Sequence, residues 1–232
     1  ELLHACSGHP FLIDGEQVTI RLHASVLLAP SHGDRADAIE RSLVAVLAEA
    51  QKRDETVQAF TEEIRQRVSL RSNLERDLRG ALASNAFELF LQPKFDTAAQ
   101  RLTGAEALLR WRHPQRGLVS PALFIPLLEE TGLIIDVGNW VRQEGLAIWR
   151  RWRDQGQAGL RVAVNVSARE LRHSNFLDGC TELLGSFQGE HGLDIEITES
   201  MLMDDIGKST NVLQALRGPG CTLAINDFGT GY

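Results

Sequence analysis

The spacing of apolar residues changes near Asn85. Before it, β-type alternation over residues 17–28 is followed by turn residues and by a helical pattern from Arg35 to about Lys52. A second helical pattern runs over 55–85, with apolar residues mostly three or four positions apart. This order predicts part of a small α/β unit over residues 1–54 and a long helix over 55–85 that links it to the next domain.

After Asn85, short apolar segments alternate with helical ones, which is typical of a parallel sheet or barrel. The segments predicted as strands are Phe87–Phe95, Leu102–Trp111, Arg161–Ser167, Asp194–Thr198 and Thr222–Asp227. Ser120 as N-cap, Pro121 as first helical residue and Gly132 after the last predict the bounds of one intervening helix. Because a closed barrel has about eight strands, we expect the domain over 86–232 to be a barrel that continues past Tyr232.

Charge and cysteine content narrow the classes of partner and compartment. The 232 residues carry 24 basic and 31 acidic side chains, a net charge of −7, and no strongly basic block, which argues against binding to duplex DNA or RNA. The widely spaced Cys6, Cys180 and Cys221 indicate neither a disulfide framework nor a zinc site. We therefore expect a cytoplasmic protein. Tethering to the inner membrane through an upstream region stays open.

Two charged residues share one face of an apolar predicted strand. The period of two places Glu106 and Arg110 on the same side of Leu102–Trp111. They are expected to lie about 13 Å apart along the strand, too far for a direct ion pair. A ligand could engage both.

Residues with oxygen donors also stand at the ends of three later strands. These are Asn165, Glu199, and the pair Asn226 and Asp227. Since ligands bind at the C-terminal edge of parallel strands, these side chains are expected to converge there with Glu106. Oxygen donors without His or Cys favour Mg²⁺ or Mn²⁺ over zinc. Such a metal beside an arginine is typical of phosphoryl chemistry, so phosphodiester hydrolysis is the candidate reaction.

Five short motifs follow one another in the second domain. They are FELFLQP (87–93), EALLRW (106–111), VNVS (164–167), ITE (197–199) and DFGTG (227–231). Together they resemble the EAL domain of bacterial cyclic di-GMP phosphodiesterases. The resemblance implies a modified TIM barrel that binds cyclic di-GMP and, when active, uses Mg²⁺ or Mn²⁺ to hydrolyse it to linear pGpG.

The resemblance also implies a role for each matching residue. Positions that match the metal site are Glu106, Asn165, Glu199, Asn226 and Asp227. Among these, Glu106 and Asp227 are placed in catalysis. Gln92 and Arg110 match substrate contacts.

One position departs from the family pattern. Asn226 stands where active members usually have an aspartate that bridges two metals. An amide offers one neutral oxygen and cannot supply that negative charge. Two functions therefore stay open: a phosphodiesterase, and an inactive receptor that binds cyclic di-GMP and signals through the helix over 55–85. A third reading, another metal-dependent barrel enzyme acting on a small phosphorylated or enolisable substrate, becomes attractive only if cyclic di-GMP fails to bind.

The first 60 or so residues resemble the C-terminal part of a GGDEF diguanylate cyclase domain. The segment VTIRLHAS (18–25) takes the place of a late strand. The Gly-Gly-Asp-Glu-Phe motif itself does not occur in the sequence, so a cyclase activity has no residues here to support it. The family resemblance also makes a homodimer plausible.

Overall fold

The computed structural model describes residues 10–14, 16–32, 34–185, 192–198 and 222–226. The chain divides into two compact units, Glu1–Asn73 and Leu74–Tyr232. The described strands are β1 (Phe11–Ile13), β2 (Glu16–Val18), β3 (Ala24–Val26), β4 (Val57–Ala59), β5 (Phe87–Asp96), β6 (Arg101–His113), β7 (Gly117–Val119), β8 (Arg161–Asn165), β9 (Leu193–Thr198) and β10 (Thr222–Asn226). The described helices are α1 (Ala36–Arg53), α2 (Glu62–Ala81), α3 (Pro121–Thr131), α4 (Ile134–Asp154), α5 (Ala168–Leu171) and α6 (Phe176–Gly185).

The first unit contains a β-α-β arrangement. β3 and β4 pair in parallel, and α1 connects them along the chain. One apolar cluster in this unit consists of buried Val46, Phe60 and Ile64 with half-buried Leu27 and Val68 packed against them. This agrees with the α/β pattern predicted for the N-terminal residues.

The helix predicted from Glu55 begins only at Glu62. Asp54 ends α1 in the left-handed conformation, with φ of 56° and its N–H directed to the carbonyls of Ala50 and Gln51. The chain then extends as β4, because Val57–Ala59 pairs with β3. The apolar spacing did not reveal this strand, since three residues are too few to show a period of two.

The sheet of the second unit contains all five predicted strands. Its order is β10-β9-β8-β6-β5, with β7 paired to β6. β6, β8, β9 and β10 are parallel, whereas β5 is antiparallel to β6. The expectation of a uniformly parallel sheet is therefore wrong for β5, because the short turn over 97–100 can join only antiparallel strands. In the described residues the sheet is open, with β5 and β10 at its edges.

The two faces of this sheet differ in character. On one face, α4 lies so close that a Cβ on Gly145 would be 3.1 Å from side-chain atoms of Val164 and Leu193. We call the other side the polar face; strand register places on it Gln92, Lys94, Glu106, Arg161, Asn165, Asp194 and Glu196. The helix side thus provides the core, and the polar face carries the predicted residues Gln92, Glu106 and Asn165.

Local signals of the second unit behave as the sequence predicts. Pro121 begins α3, and Gly132, with φ of 82°, follows its last residue and donates its N–H to the carbonyl of Glu129. Cys180 is a free, buried thiol whose pKa is raised by burial. Over the described ranges, every helix is too short or too polar to serve as a membrane span.

Candidate active site

Two of the predicted metal ligands are in direct contact. The Asn165 side-chain amide, at the end of β8, donates a hydrogen bond to Oε1 of Glu106 at 2.7 Å. Glu106 lies in β6 opposite Ala163, so the two side chains come from neighbouring parallel strands and the same face. The structure therefore brings together two residues that are 59 positions apart in sequence.

The structure adds Glu196 to this site. Glu196 is the register partner of Asn165 on β9, and only 1% of it is exposed. Its carboxylate forms an ion pair with the ammonium group of Lys94 from β5. An isolated buried carboxylate is costly, so this pairing compensates its charge.

Sequence analysis missed both Glu196 and Lys94. The segment Asp-Ile-Glu-Ile-Thr does contain a sequence signal for Glu196. Side chains alternate along a strand, so an acid between two isoleucines lies on the face away from the core. That signal shows the face only. The partner of Glu196 lies 102 positions away, and only the structure identifies it.

A second ion pair occupies the polar face nearer the start of β8. Arg161 Nε donates to both carboxylate oxygens of Asp194 at 2.8 and 2.9 Å. These residues precede Asn165 and Glu196 on their strands. Charged groups therefore line the polar face at two levels along the strands. The level of Asn165 and Glu196 lies nearer the C-terminal ends of β8 and β9.

The two predicted substrate contacts lie on the same face. Gln92 is exposed and is the register partner of Glu106. Arg110 is half-buried, donates to the carbonyl of Leu109 at 2.9 Å and lies over the Phe90 ring, with its Cζ 5.5 Å from the centroid. The guanidinium is thus held beside β5. On β6, Arg110 lies nearer the C-terminal end of the strand than Glu106 does.

Three predicted ligands are not tested by this structure. Glu199 and Asp227 lie outside the described residues, each directly after a described strand. The backbone of Asn226 ends β10 in register with Thr198, and its side chain lies outside the described part. These residues stay predictions.

The described donors fit a hard divalent cation. Glu106 and Glu196 supply carboxylates and Asn165 supplies an amide, the oxygen ligands that Mg²⁺ and Mn²⁺ prefer. Within the described ranges, no three acidic, His or Cys side chains form a group able to hold a metal. The two carboxylates and one amide therefore make a partial donor set, and Glu199, Asn226 and Asp227 are the candidates to complete it.

A mixed α/β sheet with oxygen donors on one face, at the C-terminal end of its parallel strands, defines an α/β protein with a candidate divalent-metal site. Residues 75–232 match the family model described as the EAL domain. The chain belongs to the EAL-domain family.

Named relatives and a solved structure are similar to this chain. The bifunctional diguanylate cyclase/cyclic di-GMP phosphodiesterase MucR of Pseudomonas aeruginosa is 35% identical over 228 residues, which are 97% of this chain and 33% of MucR. The cyclic di-GMP phosphodiesterase PdeR of Escherichia coli is 35% identical over 225 residues, 96% of this chain and 34% of PdeR. The chain thus spans about a third of the length of these relatives. A structure of the MucR phosphodiesterase in complex with cyclic di-GMP superimposes with a TM-score of 0.65 and 40% identity, over 69% of this chain and 65% of that one.

Proposed function

We propose that this protein binds cyclic di-GMP and hydrolyses one of its phosphodiester bonds to give linear pGpG, with Mg²⁺ or Mn²⁺ as cofactor. One observation carries the proposal: Glu106 and Asn165, which come from two separate EAL motifs, are hydrogen-bonded on the polar face. Relatives named as cyclic di-GMP phosphodiesterases support the choice of substrate.

In this proposal Glu106, Asn165 and Glu196 would hold the metal, together with Glu199, Asn226 and Asp227. A bound metal would lower the pKa of a water molecule and offset the charge that develops on the phosphate oxygens. Glu106 and Glu196 contribute the negative charge that retains the cation, and Asn165 keeps the Glu106 carboxylate oriented through its amide.

The remaining polar residues position the substrate. The Arg110 guanidinium binds a nonbridging phosphate oxygen, because a fixed planar donor group matches phosphate geometry. Its contact with the Phe90 ring limits its freedom before substrate arrives, which reduces the entropy lost on binding. The exposed Gln92, opposite Glu106, supplies a further hydrogen bond to the nucleotide.

A receptor that binds cyclic di-GMP without cleaving it is the second candidate. It is favoured by Asn226, which stands where the family pattern has a charged ligand. The Lys94 ammonium beside Glu196 adds positive charge to the same site, and this disfavours a cation there.

Binding is tested by calorimetry with cyclic di-GMP in the presence of a chelator. Arg110→Ala is expected to weaken binding by about tenfold or more, since it removes a charge-assisted contact. Arg112→Ala is the matched control: Arg112 lies two residues further along β6 and pairs with Glu88 at 2.8 Å. Equal affinity of wild type and Arg110→Ala, or no binding by the wild type, would count against the proposal. Turnover with Mn²⁺ then separates enzyme from receptor.

We also propose that residues 1–54 derive from a GGDEF-like domain. In this proposal the helix that links them to residues 86–232 transmits signals. The protein is further proposed to act in the cytoplasm as a homodimer. The alignment with MucR, named as a bifunctional cyclase and phosphodiesterase, extends over 97% of this chain and supports the first point. The buried free thiol of Cys180 fits a reducing compartment.

A further inference from the structure

A buried ion pair lies behind the strand that carries Asn165. Arg142 on α4 and Glu170 on α5 are 3% and 2% exposed, and Arg142 Nη1 donates to Glu170 Oε1 at 2.6 Å. Neither residue lies on the polar face, and neither was singled out by the sequence. A buried pair of this kind gives little net stability over apolar side chains of similar volume, so its presence calls for another explanation.

The second oxygen of Glu170 holds the backbone that follows Asn165. Glu170 Oε2 accepts from the Ser167 backbone N–H at 3.0 Å and from Ser167 Oγ at 2.9 Å, and Ser167 Oγ accepts in turn from the Glu170 N–H at 3.2 Å. This reciprocal capping box fixes Ser167, the N-cap of α5, which stands only two residues after Asn165. The intervening Val166 N–H donates to the carbonyl of Glu196 at 2.9 Å.

The surroundings of the pair are shaped to hold it. A Cβ on Gly138 would lie 1.8 Å from Glu170 Oε1, so only glycine leaves room for the carboxylate. Arg142 also donates to Asn139 Oδ1 at 2.6 Å, and its Cζ lies 4.9 Å from the centroid of the Phe176 ring. One terminal nitrogen of the guanidinium is therefore hydrogen-bonded to α5 and the other to α4.

A cavity leaves the packing around α5 incomplete beside the pair. A cavity of about 160 Å³ lies against the pair, and Arg142, Glu170, His173 and Phe176 are among its lining residues. Because part of the surface of α5 faces this cavity, the hydrogen bonds of Glu170 supplement the packing of buried Leu171 in holding the helix.

We propose that Glu170 acts as a positioning residue for Asn165, through Ser167, and that Arg142 compensates its buried charge. The Glu170 carboxylate holds the segment 165–167 through its two bonds to Ser167, and this sets the distance of the Asn165 amide from Glu106 and Glu196. The inference rests on the proposed metal site, for which Asn165 is a ligand.

The test compares two double variants. Arg142→Met/Glu170→Met replaces the pair by apolar groups, which commonly preserves stability, and removes the acceptor for Ser167. Arg142→Met/Glu170→Gln keeps that acceptor, because glutamine also completes a capping box. Mn²⁺ affinity is measured by electron paramagnetic resonance, and thermal unfolding is recorded for each protein. Arg151→Met/Glu144→Met, an exposed pair on the same helix with a 3.4 Å contact, is the control.

The Arg142→Met/Glu170→Met variant, called Met/Met below, is expected to bind Mn²⁺ about tenfold more weakly at a similar melting temperature. Loss of a residue that orients a metal ligand commonly lowers metal affinity by this amount. The Arg142→Met/Glu170→Gln variant, called Met/Gln below, and the control are expected to keep their Mn²⁺ affinity within about twofold of wild type, because the bonds to Ser167 remain. Wild-type affinity in the Met/Met variant, or equal losses in both double variants, would overturn the proposal. If Met/Met does not fold, Ser167→Ala replaces it, with an expected loss of about threefold and no loss as the contrary result.

A second measurement tests the positioning of Asn165 independently of metal binding. The side-chain amide resonance of Asn165, assigned with Asn165→Asp, reports its contact with Glu106 without any metal. If wild type binds no Mn²⁺, the metal site fails, and this resonance then tests the positioning alone: it shifts in Met/Met but not in Met/Gln if the bonds from residue 170 to Ser167 position Asn165. An unchanged resonance in Met/Met would refute positioning.

Discussion

Glu196 and Lys94 form an ion pair in which the carboxylate is almost fully buried and the side chain of Lys94 is 46% exposed. Sequence analysis found Asn165 as a donor at a strand end and Glu106 from the face that it shares with Arg110, and the two side chains are in contact. It could not find Glu196, because the acid stands two residues before the end of β9 and owes its environment to Lys94 on a distant strand. Residue types and spacing predict which face a side chain occupies, but they do not predict its partner across the sheet.

If Glu196 helps to hold the metal, Glu196→Gln is expected to weaken Mn²⁺ binding by about tenfold or more, because it removes a buried negative charge beside Asn165. Calorimetric titration with Mn²⁺ measures this. Asp194→Asn is the matched control, since Asp194 lies on the same strand and face and pairs with Arg161. A loss of affinity in Asp194→Asn equal to that in Glu196→Gln would indicate a general charge effect instead.

Asn226→Asp is expected to raise metal-dependent turnover of cyclic di-GMP by about tenfold, because a carboxylate supplies the charge that the family pattern places at this position. Initial rates at saturating substrate and varied Mn²⁺ give the measurement. Unchanged rates would show that the amide already suffices at this position.

Among the elements, the β5–β6 hairpin positions Gln92 and Lys94 opposite Glu106 and Gly104. A Cβ on Gly104 would lie 2.0 Å from the carbonyl oxygen of Arg161 in β8, and backbone there cannot move without breaking the β6–β8 pairing. We expect Gly104→Ala to lower the free energy of unfolding by about 3 kcal/mol or more. Denaturant unfolding measures the change. Gly159→Ala, where no atom lies within 4 Å of the new Cβ, is expected to have little effect.

Asp96, at the turn of this hairpin, makes the stability of the protein depend on pH. Backbone N–H groups of Ala99 and Ala98 donate to Asp96 and lower the pKa of its carboxyl group. Since the pKa is lower in the folded protein, the contribution of Asp96 to stability is present above about pH 4 and is lost as the pH falls towards the folded value. A carboxyl ¹³C titration is expected to give a pKa below that of a model aspartate. An ordinary value would contradict the turn geometry.

At the same scale, long elements were predicted better than short ones. The five strands of the second unit and the bounds of α3 follow from alternation and end signals. β4 was read as helix, and β7 was not predicted, because strands of three residues owe their existence to pairing with β3 and β6.

For the molecule as a whole, the convergence of Glu106 and Asn165 from two strands could be predicted from sequence, because parallel strands end at the same edge. The division at Asn73 and Leu74 falls inside α2, where the helical pattern is continuous and carries no boundary signal. The antiparallel direction of β5 was predictable from the length of the turn alone, but the alternation of strands and helices hid it.

The central claim is that the polar face forms a metal-dependent phosphodiesterase site. The most direct measurement incubates the protein with cyclic di-GMP and Mg²⁺ or Mn²⁺, quantifies linear pGpG by chromatography, and repeats the assay with chelator. We expect pGpG formation that stops with chelator and falls more than about 100-fold in Glu106→Ala, while the control Glu144→Ala, whose carboxylate pairs with Arg151 on α4, retains the wild-type rate. Tight binding of cyclic di-GMP with no pGpG under any metal would contradict the claim and identify the protein as a receptor.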